Sequence, residues 1–250
     1  MAKQIGLIRL KGTIGDTNFY STPNGGDLAR SAGGGFKSND IKKKDSMVRV
    51  RENASEFGTC SKIKKAFRIS LAPFLCVRKD GLLHGRMMTL FTMIKSMDRV
   101  SLRGKRTVGN GLATPLGLDL LRNFEFTPAC NVIDTLGASV NYDFATRSCA
   151  ITNFDVRHVS FPSGATHMAL SLGLLHFDFN ALNYKLKMSA PFYIDKTYDE
   201  NSFELSVEEP EIAGMHIAVL GLKFYQEVKG TYYLFKSANA VGVEVLGVEV

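Results

Sequence analysis

The chain has 250 residues, 45% hydrophobic and 22% charged, with 17 Phe and no Trp, which excludes global disorder and leaves Phe as the main large packing ring. Its length suits one large domain or two modest ones, each able to bury a core. The net charge of +7 is uneven: residues 1–110 carry 22 Lys and Arg against 8 Asp and Glu, a net +14, and residues 111–250 carry 9 against 16, a net −7. Such a split predicts a cationic surface that meets nucleic acid or the acidic half of a second copy.

Residues 4–20 read as a β-hairpin or two short strands, with Ile5, Leu7 and Ile14 alternating against small or polar neighbours and Gly12 and Gly15 as punctuation. Pro23-Asn24-Gly25-Gly26 signals a turn, and residues 31–46 a glycine-rich loop with Lys42, Lys43 and Lys44. Asp45 or Ser46 is the candidate N-cap of a helix over Met47–Leu71. Val50, Ala54, Phe57, Cys60 or Ser61, Ile63 or Lys64, and Phe67 mark its apolar face, and Gly58 suggests close approach of another backbone. Pro73 ends or kinks that helix. A Met-rich helix is predicted over Leu82–Val100, with Leu83, Met87, Leu90, Phe91, Ile94 and Met97 as its stripe. The basic run Arg103–Arg106, a turn at Gly109-Asn110-Gly111 and a short helix over Leu116–Phe124 close this half.

Beyond about residue 125 the apolar period becomes two. Strands are predicted at Ser139–Phe144, Cys149–Val156, Thr166–Phe179, Tyr184–Tyr193, Phe203–Val207, His216–Tyr225, Thr231–Phe235 and Val241–Val250. The expected fold class is therefore α+β: an N-terminal β arm and helices (1–124), then an antiparallel β-sandwich-like region (125–250).

The chemical motifs are sparse. Lys11-Gly12-Thr13-Ile14-Gly15 lacks phosphate-loop spacing, and Gly33-Gly34-Gly35 forms no dinucleotide fingerprint. The five His form no HxH or HExxH pair, and His167 and His176 would face opposite sides of one strand. Cys60, Cys76, Cys130 and Cys149 fit no zinc spacing and read as reduced, mostly buried thiols. No GxSxG elbow occurs, and Glu208, Glu209 and Glu211 around Pro210 read as a solvated acidic loop. No catalytic residue, cofactor or metal is expected. Neither a signal-peptide pattern nor a membrane-spanning stretch is legible, so the expectation is a cytoplasmic protein or part of a particle assembled there.

Two residue sets stand out. Lys42, Lys43, Lys44, Lys62, Lys64, Lys65, Arg103, Lys105 and Arg106 are expected to gather into one basic patch able to bind phosphates. Ile5, Leu7, Ile14 and Phe19 on the β arm, with Arg49, Arg51, Glu52 and Glu56 on the first long helix, are the candidate assembly residues, through strand addition and intra- or interchain ion pairs. The segments KGTIGDTNFY (Lys11–Tyr20), DLAR (Asp27–Arg30) and RENASEFG (Arg51–Gly58), with Arg103-Gly104, resemble an uncharacterised protein group of Bacteroidota-type bacteria over the first ~110 residues. That resemblance implies an assembly module and carries over no activity. The expected function is a self-assembling structural protein forming a homo-oligomeric filament, tube or shell. The alternative is a nucleic-acid-binding protein of phage or mobile-element origin.

Overall fold

The computed structural model describes residues 2–6, 8–22, 25–33, 38–77, 79–209 and 214–249. It bears out the α+β expectation, with strands and helices first and antiparallel sheets after. The Cα packing divides the chain into two compact units, Met1–Arg51 and Glu52–Val250. Position 124/125 thus marks a change of secondary-structure type rather than a break between compact units.

In the first unit, short apolar–polar alternations form an antiparallel sheet of β1 (Ala2–Lys3), β2 (Gly12–Ile14), β3 (Thr17–Ser21) and β4 (Asp27–Ser31), ordered β1-β4-β3-β2. Ile14 pairs with Thr17 across a two-residue turn in which Gly15 takes φ +55°, a conformation glycine adopts without steric cost. The predicted Pro23–Gly26 turn joins β3 to β4; its Pro23 and Asn24, and Gly34 and Gly35 of the predicted loop, lie outside the described residues. Helix α1 (Ser38–Lys43) follows. Asp45 and Ser46 sit in a 3-10 turn, Asp45–Met47, that runs straight into α2 (Val48–Ser70), rather than capping it. None of the described residues of 2–51 is buried.

The second unit has three layers. Its middle layer is a six-stranded antiparallel sheet built on β7 (His167–Phe177) and β11 (Met215–Val228), which pair along their length. β8 (Tyr184–Met188) and β9 (Phe192–Asp195) flank β7; β12 (Thr231–Leu234) and β13 (Val241–Glu249) flank β11. The predicted strand Tyr184–Tyr193 is thus two, broken at Ser189–Pro191, where Pro191 has no N–H to donate to a ladder.

Both faces of this sheet are covered, so its central strands read as nearly continuous apolar runs. Met168, Leu170, Leu172 and Leu174 of β7 pack with Leu220, Leu222 and Phe224 of β11 against the smaller sheet. That sheet comprises β5 (Ser139–Asp143), β6 (Ser148–Thr152) and β10 (Ser202–Ser206), ordered β10-β6-β5. This pair of sheets is the sandwich-like part of the expectation. The opposite face, with Leu175, Phe177, Ile217 and Val219, packs on Phe67 of α2 and Phe91 and Ile94 of α4 (Leu83–Ser96). A bulge between Ala218 and Val219 restores β13's parity, so that Val243, Val245 and Val248 all reach the helical face.

Phe74, on the short α3 (Ala72–Leu75), rests on glycines of both central strands; a Cβ at Gly221 or Gly173 would come within 2.4 or 2.7 Å of its ring. The predicted turn at Gly109-Asn110-Gly111 is instead α5 (Val108–Leu112), capped by the Thr107 hydroxyl, which accepts from the Asn110 N–H. Gly111 is required there because a Cβ would lie 2.0 Å from the Ile94 carbonyl oxygen. Helix α6 (Pro115–Arg122) matches its prediction closely. A short helix, α7 (Val132–Leu136), was not expected in the β-rich region; Asn131 caps its start and Gly137 ends it at φ +58°.

Candidate functional site

The apolar face predicted for α2 is displaced in its first half. Glu56, Cys60, Ile63, Lys64, Phe67 and Ser70 are the buried positions, whereas Phe57 is 59% exposed. Glu56 is 1% exposed because its carboxylate is fully partnered. It accepts from Lys95 Nζ at 2.6 Å, from Arg106 Nε and Nη2 at 2.8 and 2.9 Å, and from the Gly104 N–H at 2.7 Å. The Arg106 bonds outweigh the opposing cost of burial and, with Lys95 and Gly104, bring its pKa down to about 2. Asp98, also buried, accepts from the N–H groups of Val100, Ser101 and Thr107, each at 2.9 Å. Burial raises its pKa, but these bonds outweigh it and hold the carboxyl well below the usual range. The two carboxylates pin residues 98–107 onto α2 and α4.

This arrangement reassigns several predicted residues. Glu56 is an internal anchor inaccessible to a neighbouring chain, which corrects its assembly role. Arg106 belongs to the same buried cluster, and Arg103 lies 3.5 Å from Glu52 and donates to Asn53, so neither stands in an unpaired basic patch. Lys105 remains exposed. In the first unit, Lys42 and Lys43 are exposed on α1, while Lys44 pairs with Asp40 at 3.0 Å. The Arg51 guanidinium donates to the carbonyls of Ile41 and Lys44, tying off the end of α1, and Arg49 is exposed. Gly58 meets open space, so no backbone approaches it.

Of the β-arm residues, Ile5 is 96% and Ile14 60% exposed, and Phe19 is half-buried on β3; Leu7 lies outside the described residues. Ile8, at 82% exposure, adds to this apolar surface, and all of the edge strand β2 is exposed.

A second surface lies on α2 and α3. A groove of about 460 Å³ is lined by Lys62, Lys64, Lys65 and Arg68 together with Ile69 and Cys76. Lys62 and Lys65 are exposed and Arg68 is half-buried. Lys64 is 7% exposed, with its Nζ 2.7 Å from Nδ1 of His84. Burial, and then the nearby Arg68 charge, lower its pKa. Among the described residues, none of these four cations is paired with a carboxylate. Sequence reading placed Lys62, Lys64 and Lys65 in a basic patch but missed Arg68 and His84, although the three-residue spacing of Lys62, Lys65 and Arg68 was visible.

The histidines divide as expected along β7. His167 meets Tyr232 on one face, and His176 stacks on His216 on the other, with centroids 3.8 Å apart. Among the described residues, no group of three or more His, Cys, Asp or Glu is placed to hold a metal ion, and no helix is long and apolar enough to cross a membrane. The four cysteines are free; Cys60, Cys130 and Cys149 are buried, and burial pushes the Cys149 thiol up to about 12. No protein-family model, curated protein or solved structure matches the chain.

Proposed function

We propose that this chain is a self-assembling structural protein whose N-terminal sheet is completed by a second copy. One observation carries the reading: the unit over residues 1–51 has four strands and a helix, yet no described residue in it is buried. Ordering a backbone costs about 1–2 kcal/mol per residue, which is ordinarily offset by burying apolar surface. Ile5, Ile8 and Ile14 leave that surface in water. An external partner that covers them supplies the missing burial, and the unpaired edge of β2 offers main-chain hydrogen bonds for strand addition. The charge split, +14 over residues 1–110 from 22 Lys and Arg against 8 acids, favours a copy of the same chain with its acidic half.

Light scattering on the full-length chain across a concentration series tests this. An oligomer is expected, and Ile5→Asp with Ile14→Asp should convert it to monomer while leaving the melting of the larger unit unchanged. A wild-type chain that stays monomeric at tens of micromolar overturns the proposal.

A further inference from the structure

We propose that the groove on α2 is a binding site for the phosphate backbone of a double-stranded nucleic acid. The inference stands independently of self-assembly, since it uses a different surface.

Three observations converge on an anionic ligand. The groove gathers Lys62, Lys64, Lys65 and Arg68 without a lining carboxylate. Lys64 is held 93% out of solvent with its Nζ 2.7 Å from His84 Nδ1 and no carboxylate lining the groove, and an ammonium so placed is stabilised by an arriving anion. Lys62, Lys65 and Arg68 recur every third residue, so they rise about 4.5 Å apart along the helix axis and span about 9 Å. That row presents cations at a density comparable to the phosphates of one duplex strand, about one per 3.4 Å.

The groove lining also discriminates among anions. Single-strand sites depend on aromatic side chains on which bases stack, and the apolar lining here is Ile69, Ala72 and Cys76. A stacked duplex, offering only its phosphates, fits such a wall.

The test is fluorescence anisotropy of a labelled duplex of about 30 base pairs with the full-length chain, over roughly 50–200 mM salt. Lys62→Gln/Lys65→Gln/Arg68→Gln is compared with Lys42→Gln/Lys43→Gln/Lys44→Gln, which removes the same net charge elsewhere. Thermal melts check that both variants fold. Wild type should bind with affinity falling linearly in log salt. The groove variant should weaken binding on the order of 10²-fold at low salt and flatten the slope by up to about 3, while the control changes both far less. Absence of wild-type binding at low salt, equal effects of the two variants, or a single strand of equal length binding as tightly as the duplex would each overturn the proposal. So would a groove variant that alters the oligomer by light scattering while leaving duplex binding intact, because the occupant is then a second copy.

Discussion

Glu56 shows how a single carboxylate can take a core position. Its four hydrogen bonds come from two cations and a backbone N–H, and removing the charge takes the anionic acceptor from all of them. Glu56→Gln is therefore expected to destabilise the chain by about 3 kcal/mol, read as a lowered denaturation midpoint, because it leaves Lys95 and Arg106 partly buried without a counter-charge. The pH dependence has a definite sign. With its pKa lowered from 4.5 to about 2, the carboxylate contributes stability that is complete above the unfolded value and is lost as pH falls from about 4.5 towards 2. Melting curves in that window should be steeper in pH for wild type than for Glu56→Gln; parallel curves would reject the anchor. In the sequence Glu56 and Phe57 are adjacent, and hydropathy alone puts the phenyl ring inside and the acid outside. The structure reverses them because Arg106 and Lys95, 50 and 39 residues away, supply the counter-charge.

Among the elements, glycine has opposite meanings at different sites. Gly221 and Gly173 face the Phe74 ring, where a methyl group would come within 2.4 and 2.7 Å. Gly221→Ala should cost about 1–3 kcal/mol by overpacking the contact of α3 with β11. Gly58 lies inside α2 with nothing within 4 Å of its Cβ position, so Gly58→Ala should stabilise by about 0.5–1 kcal/mol. Chemical denaturation of the two variants gives shifts of opposite sign if both packing readings hold. The long elements were legible because their periodicity is strong: α2, α4, β7 and β11 fall within a few residues of their predicted spans. The short ones were not. α5 replaces a predicted turn because Gly-Asn-Gly permits either conformation, and contact with the Ile94 carbonyl selects the helix. α7 has a capping Asn131 and a terminating Gly137, a signal that was present but too brief to outweigh the surrounding β pattern.

For the whole molecule, burial is concentrated in residues 52–250, where the sheet is covered on both faces, and is absent from the described residues of 2–51. Local stability should follow. In hydrogen exchange on the dilute chain, amides of β7 and β11 should be the slowest and those of β3 and β4 among the fastest. Protection of β3 and β4 should then rise with protein concentration if copies cover the N-terminal sheet; concentration-independent exchange there would count against assembly through it.

The amino-acid order by itself determined the α+β class, the long helices and most strands of the sandwich-like region, because those depend on periodicity within one segment. It also determined the segregation of charge. Only the tertiary structure decided which charges are inward and partnered, which cations remain together in a groove, and that the helices share a core with the strands that follow them. Such choices rest on contacts between residues far apart in the chain, and a linear pattern carries no record of which distant carboxylate meets which guanidinium.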